Sequence, residues 1–321
     1  MTGASDRMAM QAAADGGHMG ERRFLVVFHP DREETLRTAS SVCRRLVEAG
    51  VTPVVLPAER AALIAHAPEA DVVREHDPES PDEIELVVTF GGDGTILRAA
   101  ELQRTTGAPL LGINMGHVGF LAEAEVADVQ AVVDRAVAGD YDVESRLTLD
   151  VRVVIDGAEV ARTWAVNEAA IEKHGAGRMI EVLLEVDERP ISSFGTDAVL
   201  LATPTGSTAY SFSAGGPIVW PTAQAMLMVP LGAHALFTRP LVVAPESTMA
   251  VTISPYSRSE AVLWCDSRRS VELPQGARVE ARRSETPLRL ARLSPAPFAD
   301  RLVAKFELPV QGWRDAARHA S

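Results

Sequence analysis

Lysine and cysteine are the residues this chain nearly does without, and each scarcity removes a class of chemistry. Only Lys173 and Lys305 occur in 321 residues, and neither closes a Gly-x-x-x-x-Gly-Lys-Ser/Thr loop, so a P-loop is excluded. The two cysteines, Cys43 and Cys265, are too few for a cysteine-rich zinc site and suit a reducing compartment. The eight histidines are scattered without ligand-like spacing, and neither His-Glu-x-x-His nor the protein-kinase signatures occur. The glycines at 112, 116 and 119 miss the Gly-x-Gly-x-x-Gly spacing of dinucleotide-binding dehydrogenases. Positive charge is also short, with a net charge of −13, which argues against nucleic-acid partners and anionic membranes. An anionic nucleotide would have to be held locally, by backbone amides, a metal and a few arginines.

Long apolar runs are missing too. Ala198 to Thr238 carries no Asp, Glu, Lys or Arg, a length at which a membrane span has to be considered. Pro204, Pro217, Pro221 and Pro230, with glycines and hydroxyls between them, break it too often for a span. It reads instead as a buried, ligand-lining segment. Residues 1–22 hold no apolar core long enough for a signal peptide and read as a disordered, dispensable arm. A soluble cytoplasmic enzyme is expected, and 46% hydrophobic residues exclude a disordered chain.

What is present falls into about two domains by length, and the texture changes near Tyr141. Over 23–142, Phe24–Phe28, Val51–Leu56, Ile84–Phe90 and Leu110–Ile113 read as strands. Leu36, Ala39, Val42, Cys43, Leu46 and Val47 recur at helical spacing until Gly50, and another helix is expected near 127–138. Ala58 to Glu83, acidic and proline-dotted, reads as a loop around a short helix. Strands joined by helices predict a doubly wound α/β domain with right-handed crossovers. Over 143–298 the period becomes that of strands. Leu149, Val151, Val153 and Ile155 alternate with polar residues before an Asp156-Gly157 hairpin turn. Glu181–Val186, Val199–Ala202, Leu241–Val243, Met249–Ile253 and Val279–Arg283 read as further strands, predicting an all-β sandwich.

Two segments carry chemistry. Ile84 to Thr95 is an apolar strand running into Gly91-Gly92-Asp93-Gly94, ahead of a helix expected over Thr95–Gln103. Glycines there let a phosphate approach the backbone, and the amides at a helix start form an anion site. A carboxylate in such a turn repels phosphate, so Asp93 makes sense where it handles a hydroxyl or a metal beside the phosphate. A tight connection with Asp93 as the helix N-cap is the other reading. The second segment, Thr203 to Pro217, has seven hydroxyl side chains between Thr203 and Ser213, neutral groups suited to ribose, phosphate and base edges.

The pairing of Gly91-Gly92-Asp93-Gly94-Thr95 with Thr203-Pro-Thr-Gly-Ser-Thr-Ala-Tyr210 resembles the bacterial NAD kinase family. Gly112-Ile-Asn-Met-Gly-His-Val-Gly-Phe-Leu121, Asn167-Glu168 and His234-Ala-Leu-Phe-Thr-Arg-Pro240 add to the resemblance, which runs from Phe24 to the Asp300–Arg314 segment. The glycine turn is shared with lipid kinases and echoed in phosphofructokinases; the hydroxyl motif is the more specific. The resemblance implies a phosphofructokinase- or diacylglycerol-kinase-like α/β domain over 23–142, an NAD-binding sandwich over 143–298, and a segment over 299–321 that returns to the first domain.

It also implies the reaction. ATP with a divalent cation, magnesium foremost, or polyphosphate would phosphorylate the 2′-hydroxyl of the adenosine ribose of NAD. Asp93 would orient that hydroxyl and accept its proton late, because a carboxylate is too weak a base to ionise it beforehand. Gly92 and Gly94 would cradle phosphates, with the metal on phosphate oxygens rather than in a protein cage. Asn167 matches an adenine-reading amide and Glu168 a carboxylate gripping ribose hydroxyls. Asp197 matches an acidic position before the hydroxyl motif. Thr208, Ala209, Tyr210, Ser211, Phe212 and Ser213 match the dinucleotide-contacting stretch, and Arg98 and Arg178 match basic positions near the pyrophosphate. His234 reads as a structural hydrogen-bonder. A homodimer or homotetramer is implied. The chain departs from the family at Asp197-Ala198, where Asp-Gly is common, and in Pro230–His234; a glycine needing positive φ at 198 would require a different local backbone. A lipid or sugar kinase of the same superfamily and a non-catalytic dinucleotide sensor are the alternatives.

Overall fold

Five consecutive buried residues, Leu86–Phe90, form the middle strand of the first sheet, a run without polar alternation because helices cover both faces. The computed structural model describes residues 21–68, 72–78, 83–114, 119–122, 124–125, 129–175, 177–293 and 297–310. In chain order the first part contains β1 (Arg23–Phe28), α1 (Glu33–Glu48), β2 (Thr52–Val55), α2 (Pro57–His66), β3 (Arg74–Glu75), β4 (Leu86–Phe90), α3 (Asp93–Thr106), β5 (Leu110–Asn114), β6 (Ala124–Glu125), α4 (Val129–Val137) and β7 (Asp142–Arg146). Strands β1 to β6 pair in parallel, in the spatial order 3-2-1-4-5 with β6 against β5.

The local reasons are ordinary ones. Helix α1 buries Ala39, Val42, Cys43 and Leu46 on one stripe, and Gly50 follows it at φ +74°. Helix α3 closes on Gly107 at φ +72°. Both cysteines are buried and free, their thiols pushed up to about 12 by burial.

The second part is antiparallel: β8 (Leu149–Ile155), β9 (Ala158–Ala165), β10 (Glu168–Lys173), β11 (Ile180–Val186), β12 (Arg189–Thr196), β13 (Ala198–Ala202), the one-turn α5 (Tyr210–Ser213), β14 (Met226–Leu231), β15 (Leu241–Val243), β16 (Met249–Ile253), β17 (Ala261–Cys265), β18 (Arg269–Leu273) and β19 (Arg278–Arg283). Two six-stranded sheets, ordered 15-14-13-10-17-18 and 12-11-16-19-8-9, face each other across one apolar core. Asp156 and Gly157 both take positive φ, the turn that suits the twist of the β8–β9 hairpin.

The crossover between the parts is more intimate than the pattern at 142/143 and 298/299 predicts. Strand β7 and a late strand, β20 (Leu288–Arg292), both join the first sheet, β20 lying parallel to β5 and antiparallel to β7. The return to the first sheet thus begins at Leu288, ahead of helix α6 (Phe298–Phe306). The expected arm also ends early: Arg22 pairs with Glu85 at 2.7 Å and donates to Val137 O, while residues 1–20 lie outside the described residues. Residues 115–118 and 311–321, which the sequence reading also used, lie outside them as well. Among the described residues no helix is long and apolar enough to cross a membrane.

Candidate active site

Strands β1, β4 and β5 end side by side, and the glycine turn leaves β4 at that edge. Gly91 N donates to Ile113 O at 3.0 Å, tying the turn to β5. Gly91 stands at φ +146°, and a Cβ on it would meet Thr95 Oγ1 at 2.6 Å. A Cβ on Gly92 or Gly94 would meet nothing within 4 Å, so these two leave the backbone approachable. The N-cap of α3 is Gly92, and no side chain caps the helix. Asp93 is therefore not the N-cap. Its Oδ1 instead accepts the N–H of Leu121 at 3.3 Å, and a Cβ on Gly119 would come within 2.7 Å of the same oxygen. The carboxylate sits in the first turn of a 14-residue helix, where the aligned peptide dipoles favour negative charge.

The Asn167-Glu168 pair begins β10 and is built from behind. Asp266, in the β17–β18 turn, accepts both Val166 N (2.9 Å) and Asn167 N (2.7 Å) and receives Arg269 Nη2 at 2.9 Å. Its own N–H donates to Glu168 O at 3.0 Å. Asn167 O then accepts Thr203 N at 2.9 Å, and Thr203 Oγ1 donates to Val166 O at 2.6 Å. A Cβ on Gly206 would lie 2.0 Å from Asn167 O. The hydroxyl segment is thus pressed onto the backbone of the pair, and only glycine fits at 206.

The seven hydroxyls divide by task. Ser207 Oγ donates to Pro204 O at 2.7 Å and accepts Val219 N at 2.9 Å, and Thr203 serves the same internal frame. Thr208, Ala209 and Tyr210 are half-buried at the surface of the turn, and Ser213 is exposed. Ser211 is fully buried, its Oγ has no hydrogen-bond partner, and a Cβ on Gly216 would stand 2.6 Å from that oxygen. Phe212 stacks on Phe306 of α6 with ring centres 4.6 Å apart, a packing role rather than a polar contact.

Charge is concentrated around Tyr210. Glu168 is buried, and its Oε2 has no hydrogen-bond partner. Burial, then neighbouring Asp266, pushes its carboxyl up to about 8, against the pull of Tyr210 N–H. The Tyr210 hydroxyl, pushed up to about 12 by burial and then by its bond to Glu172, also faces Glu168 and Asp197. Asp197 pairs with Lys173 at 2.6 Å. Ala198 opens β13 without positive φ, so replacing the family's common glycine there strains nothing.

The two arginines have different surroundings. Arg98 reaches Phe28 O and pairs at 2.6 Å with the buried Glu59, which also accepts Phe28 N and Leu56 N. It is engaged in closing the end of β1. Arg178 lines a separate cavity of about 610 Å³ with Glu181, His234 and Arg258, and none of the other expected site residues lines it. His234 N donates to Gly195 O at 2.8 Å, a backbone bond in which the imidazole takes no part.

One small core joins the two halves of the site. Ile96, one turn after Asp93, and Val166, immediately before Asn167, are both fully buried in a cluster that also holds Leu121, Ala122 and Leu288. Arg268 clamps Glu101 of α3 through two bonds of 2.9 and 3.0 Å, and Arg104 and Arg269 each stack on Trp164. The glycine turn and the Asn-Glu pair are therefore fixed relative to each other. Sequence reasoning missed Asp266, the residue that shapes the pair; a lone Asp-Ser turn gives no signal of it.

Comparison with known proteins gives the same two parts. A family model for the ATP-NAD kinase N-terminal domain matches residues 24–141, and one for the ATP-NAD kinase C-terminal domain matches 166–293. The chain is 57% identical over 295 residues to the NAD kinase of Leifsonia xyli subsp. xyli, covering 92% of this chain and 97% of that one. It is 54% identical over 311 residues to the NAD kinase of Thermobifida fusca, covering 94% and 95%. Yeast NADH kinase complexed with NADH shares the fold at TM-score 0.81 with 22% identity, over 91% of this chain and 89% of that one. An NAD kinase from Archaeoglobus fulgidus in complex with ATP aligns at TM-score 0.67 with 25% identity, over 89% and 98%.

Proposed function

The chain belongs to the NAD kinase family, and from that premise we propose that it transfers a phosphoryl group from ATP or polyphosphate to the 2′-hydroxyl of the adenosine ribose of NAD. The observation that carries this reading is the juxtaposition across one core of a carboxylate held at an open glycine turn and a buried carboxylate with an unfilled acceptor. Glu168 accepts a ribose hydroxyl at that acceptor, and hydrogen bonding to the ionised form draws its carboxyl back down. Asn167 reads the adenine edge, and Thr208, Ala209, Tyr210 and Ser213 border the dinucleotide. The 2′-hydroxyl then lies toward Asp93, which orients it and takes its proton as the bond to phosphorus forms.

Gly92 and Gly94 admit phosphate oxygens to the backbone at the start of α3. A divalent cation would ride on the donor's phosphates, where it would neutralise charge. Arg98, engaged with Glu59, supports the strand end below the turn. A homo-oligomer and a cytoplasmic setting belong to the same reading.

Incubation with NAD, ATP and magnesium, read by an NADP-specific dehydrogenase, tests it. Asp93→Asn should fold normally and lower kcat by about 10²–10⁴-fold, the range for a positioned acid–base group, with NAD binding changed far less. Phosphorylation of a lipid or sugar in place of NAD, or NAD binding without turnover, would replace this reading by one of its alternatives.

A further inference from the structure

Among the described residues Asp93 is held by one peptide group, and that group is itself gripped from the returning segment. The N–H of Leu121 donates to Asp93 Oδ1, and the carbonyl of the same peptide, Phe120 O, accepts Arg301 Nη1 at 3.2 Å. Arg301 Nη1 also reaches Ala122 O at 2.8 Å, and Arg292 Nη1 reaches Leu121 O at 3.3 Å. Both arginines belong to the returning segment, Arg292 at the end of β20 and Arg301 on α6. Arg292 is fixed in turn by Glu144 of β7 at 2.7 Å, a carboxylate that also pairs with Arg146 at 2.8 Å.

The loop has an apolar side and a cationic side: Leu121 and Ala122 are buried in the core shared with Ile96 and Val166, while Phe120, Arg146, Arg292 and Arg301 are among the residues lining an adjacent cavity of about 370 Å³. Phe298 and Phe306 of α6 hold the Phe120 ring from the side, at 5.7 and 5.9 Å. A cation bonded to a carbonyl also polarises its peptide and makes the N–H a stronger donor.

We propose that Arg301, seconded by Arg292, is a positioning residue for the phosphoryl transfer: it fixes the Phe120–Leu121 peptide so that Leu121 N–H aims Asp93 at the acceptor hydroxyl. The role rests on Asp93 as proton acceptor. It couples α6 to the reacting centre with no contact of Arg301 with substrate.

The test is steady-state kinetics of Arg301→Met and Arg301→Lys, each in the parent and in the Asp93→Asn background, with NAD affinity by calorimetry. Arg301→Met should lower kcat about 10–100-fold, the cost of a misplaced group, while KM for NAD moves less than about threefold. Arg301→Lys, able to reach one carbonyl, should recover part of the loss. In the Asp93→Asn background Arg301→Met should cost nothing further, because the carboxylate it positions is gone. An equal loss in both backgrounds, or an unchanged kcat in the parent, overturns the positioning role alone. Near-parental turnover of Asp93→Asn overturns the role of Asp93 and this proposal with it. Where Arg301→Met melts early, Arg301→Lys and Arg292→Lys, which keep the charge, carry the same comparison.

Discussion

The glycine turn and the hydroxyl segment both depend on glycine, for opposite reasons. At Gly92 and Gly94 a Cβ would enter open space; at Gly206 it would strike Asn167 O at 2.0 Å. One region leaves open space beside its glycines, and the other uses glycine to close the protein on itself. The same contrast holds for carboxylates. Asp266 has its acceptors filled by two backbone N–H groups and Arg269, whereas Glu168, equally buried, keeps Oε2 unfilled. Asp266 is saturated within the protein, and Glu168 is not.

Breaking the closed region should have the largest effect. Gly206→Ala puts a methyl into backbone that cannot retreat, because Asn167 is fastened to Asp266 on its other side. A loss of more than about 3 kcal/mol, beyond the usual cost of an overpacked core, is expected from chemical denaturation. A midpoint within error of the parent's would show that the two segments separate easily.

The second prediction uses the unfilled carboxylate. Burial and Asp266 raise the Glu168 carboxyl from 4.5 to about 8, so the folded protein holds this proton more tightly than the unfolded chain. The stabilisation this provides is complete below pH 4.5 and is lost as pH rises to about 8. Glu168→Gln removes the titration. Its melting temperature relative to the parent should climb between these limits in ligand-free protein and level off above them. Saturating NAD should shrink the difference, since hydroxyl donors favour the ionised form. A pH-independent difference would mean the carboxylate is already satisfied.

How far the sequence foretold this arrangement depends on the range of the forces involved. Strand β4, helix α1 and the Asp156-Gly157 hairpin were legible because their causes are local: a buried run, a helical stripe, a turn needing positive φ. Strands β7 and β20 were not, because Asp142, Glu144, Arg146, Arg289 and Arg292 break the apolar pattern and the pairing joins residues far apart in the chain. Asp93 and the hydroxyl segment that holds Tyr210 stood out by residue type and spacing, and Asn167 only through the family resemblance. Their supports did not: Asp266 acts on Asn167 from 99 residues away, and Glu59 captures Arg98 from 39.

A smaller loss is expected at the base-reading side. The backbone of Asn167 is fully engaged, so Asn167→Ala should leave the frame standing and remove only the side-chain amide. NAD affinity should fall by about 1–3 kcal/mol, roughly ten- to hundredfold, with ATP parameters little changed. Discrimination against the hypoxanthine form of NAD should shrink with it, because that analogue lacks the amino group proposed to meet Asn167. Calorimetry with both dinucleotides decides; an undiminished preference for adenine would place base reading elsewhere.

Gly94→Ala gives the smallest change and the finest test of the contrast. Position 94 lies in the first turn of α3 with ordinary helical backbone, and the added methyl would touch nothing in the protein. On stability alone the substitution should be neutral or favourable by up to about 1 kcal/mol, since alanine loses less backbone freedom than glycine on entering a helix. On activity it should be harmful, because the methyl occupies space through which a phosphate reaches the N–H groups of the turn. We expect an unchanged or higher melting temperature together with about a tenfold fall in kcat/KM for the nucleotide. The opposite signs carry the weight: a packing role for this glycine would lower both. If Gly94→Ala leaves kinetics untouched while stabilising the fold, the open side of the turn admits no phosphate at that position, and the contrast with Gly206 reduces to one of packing alone.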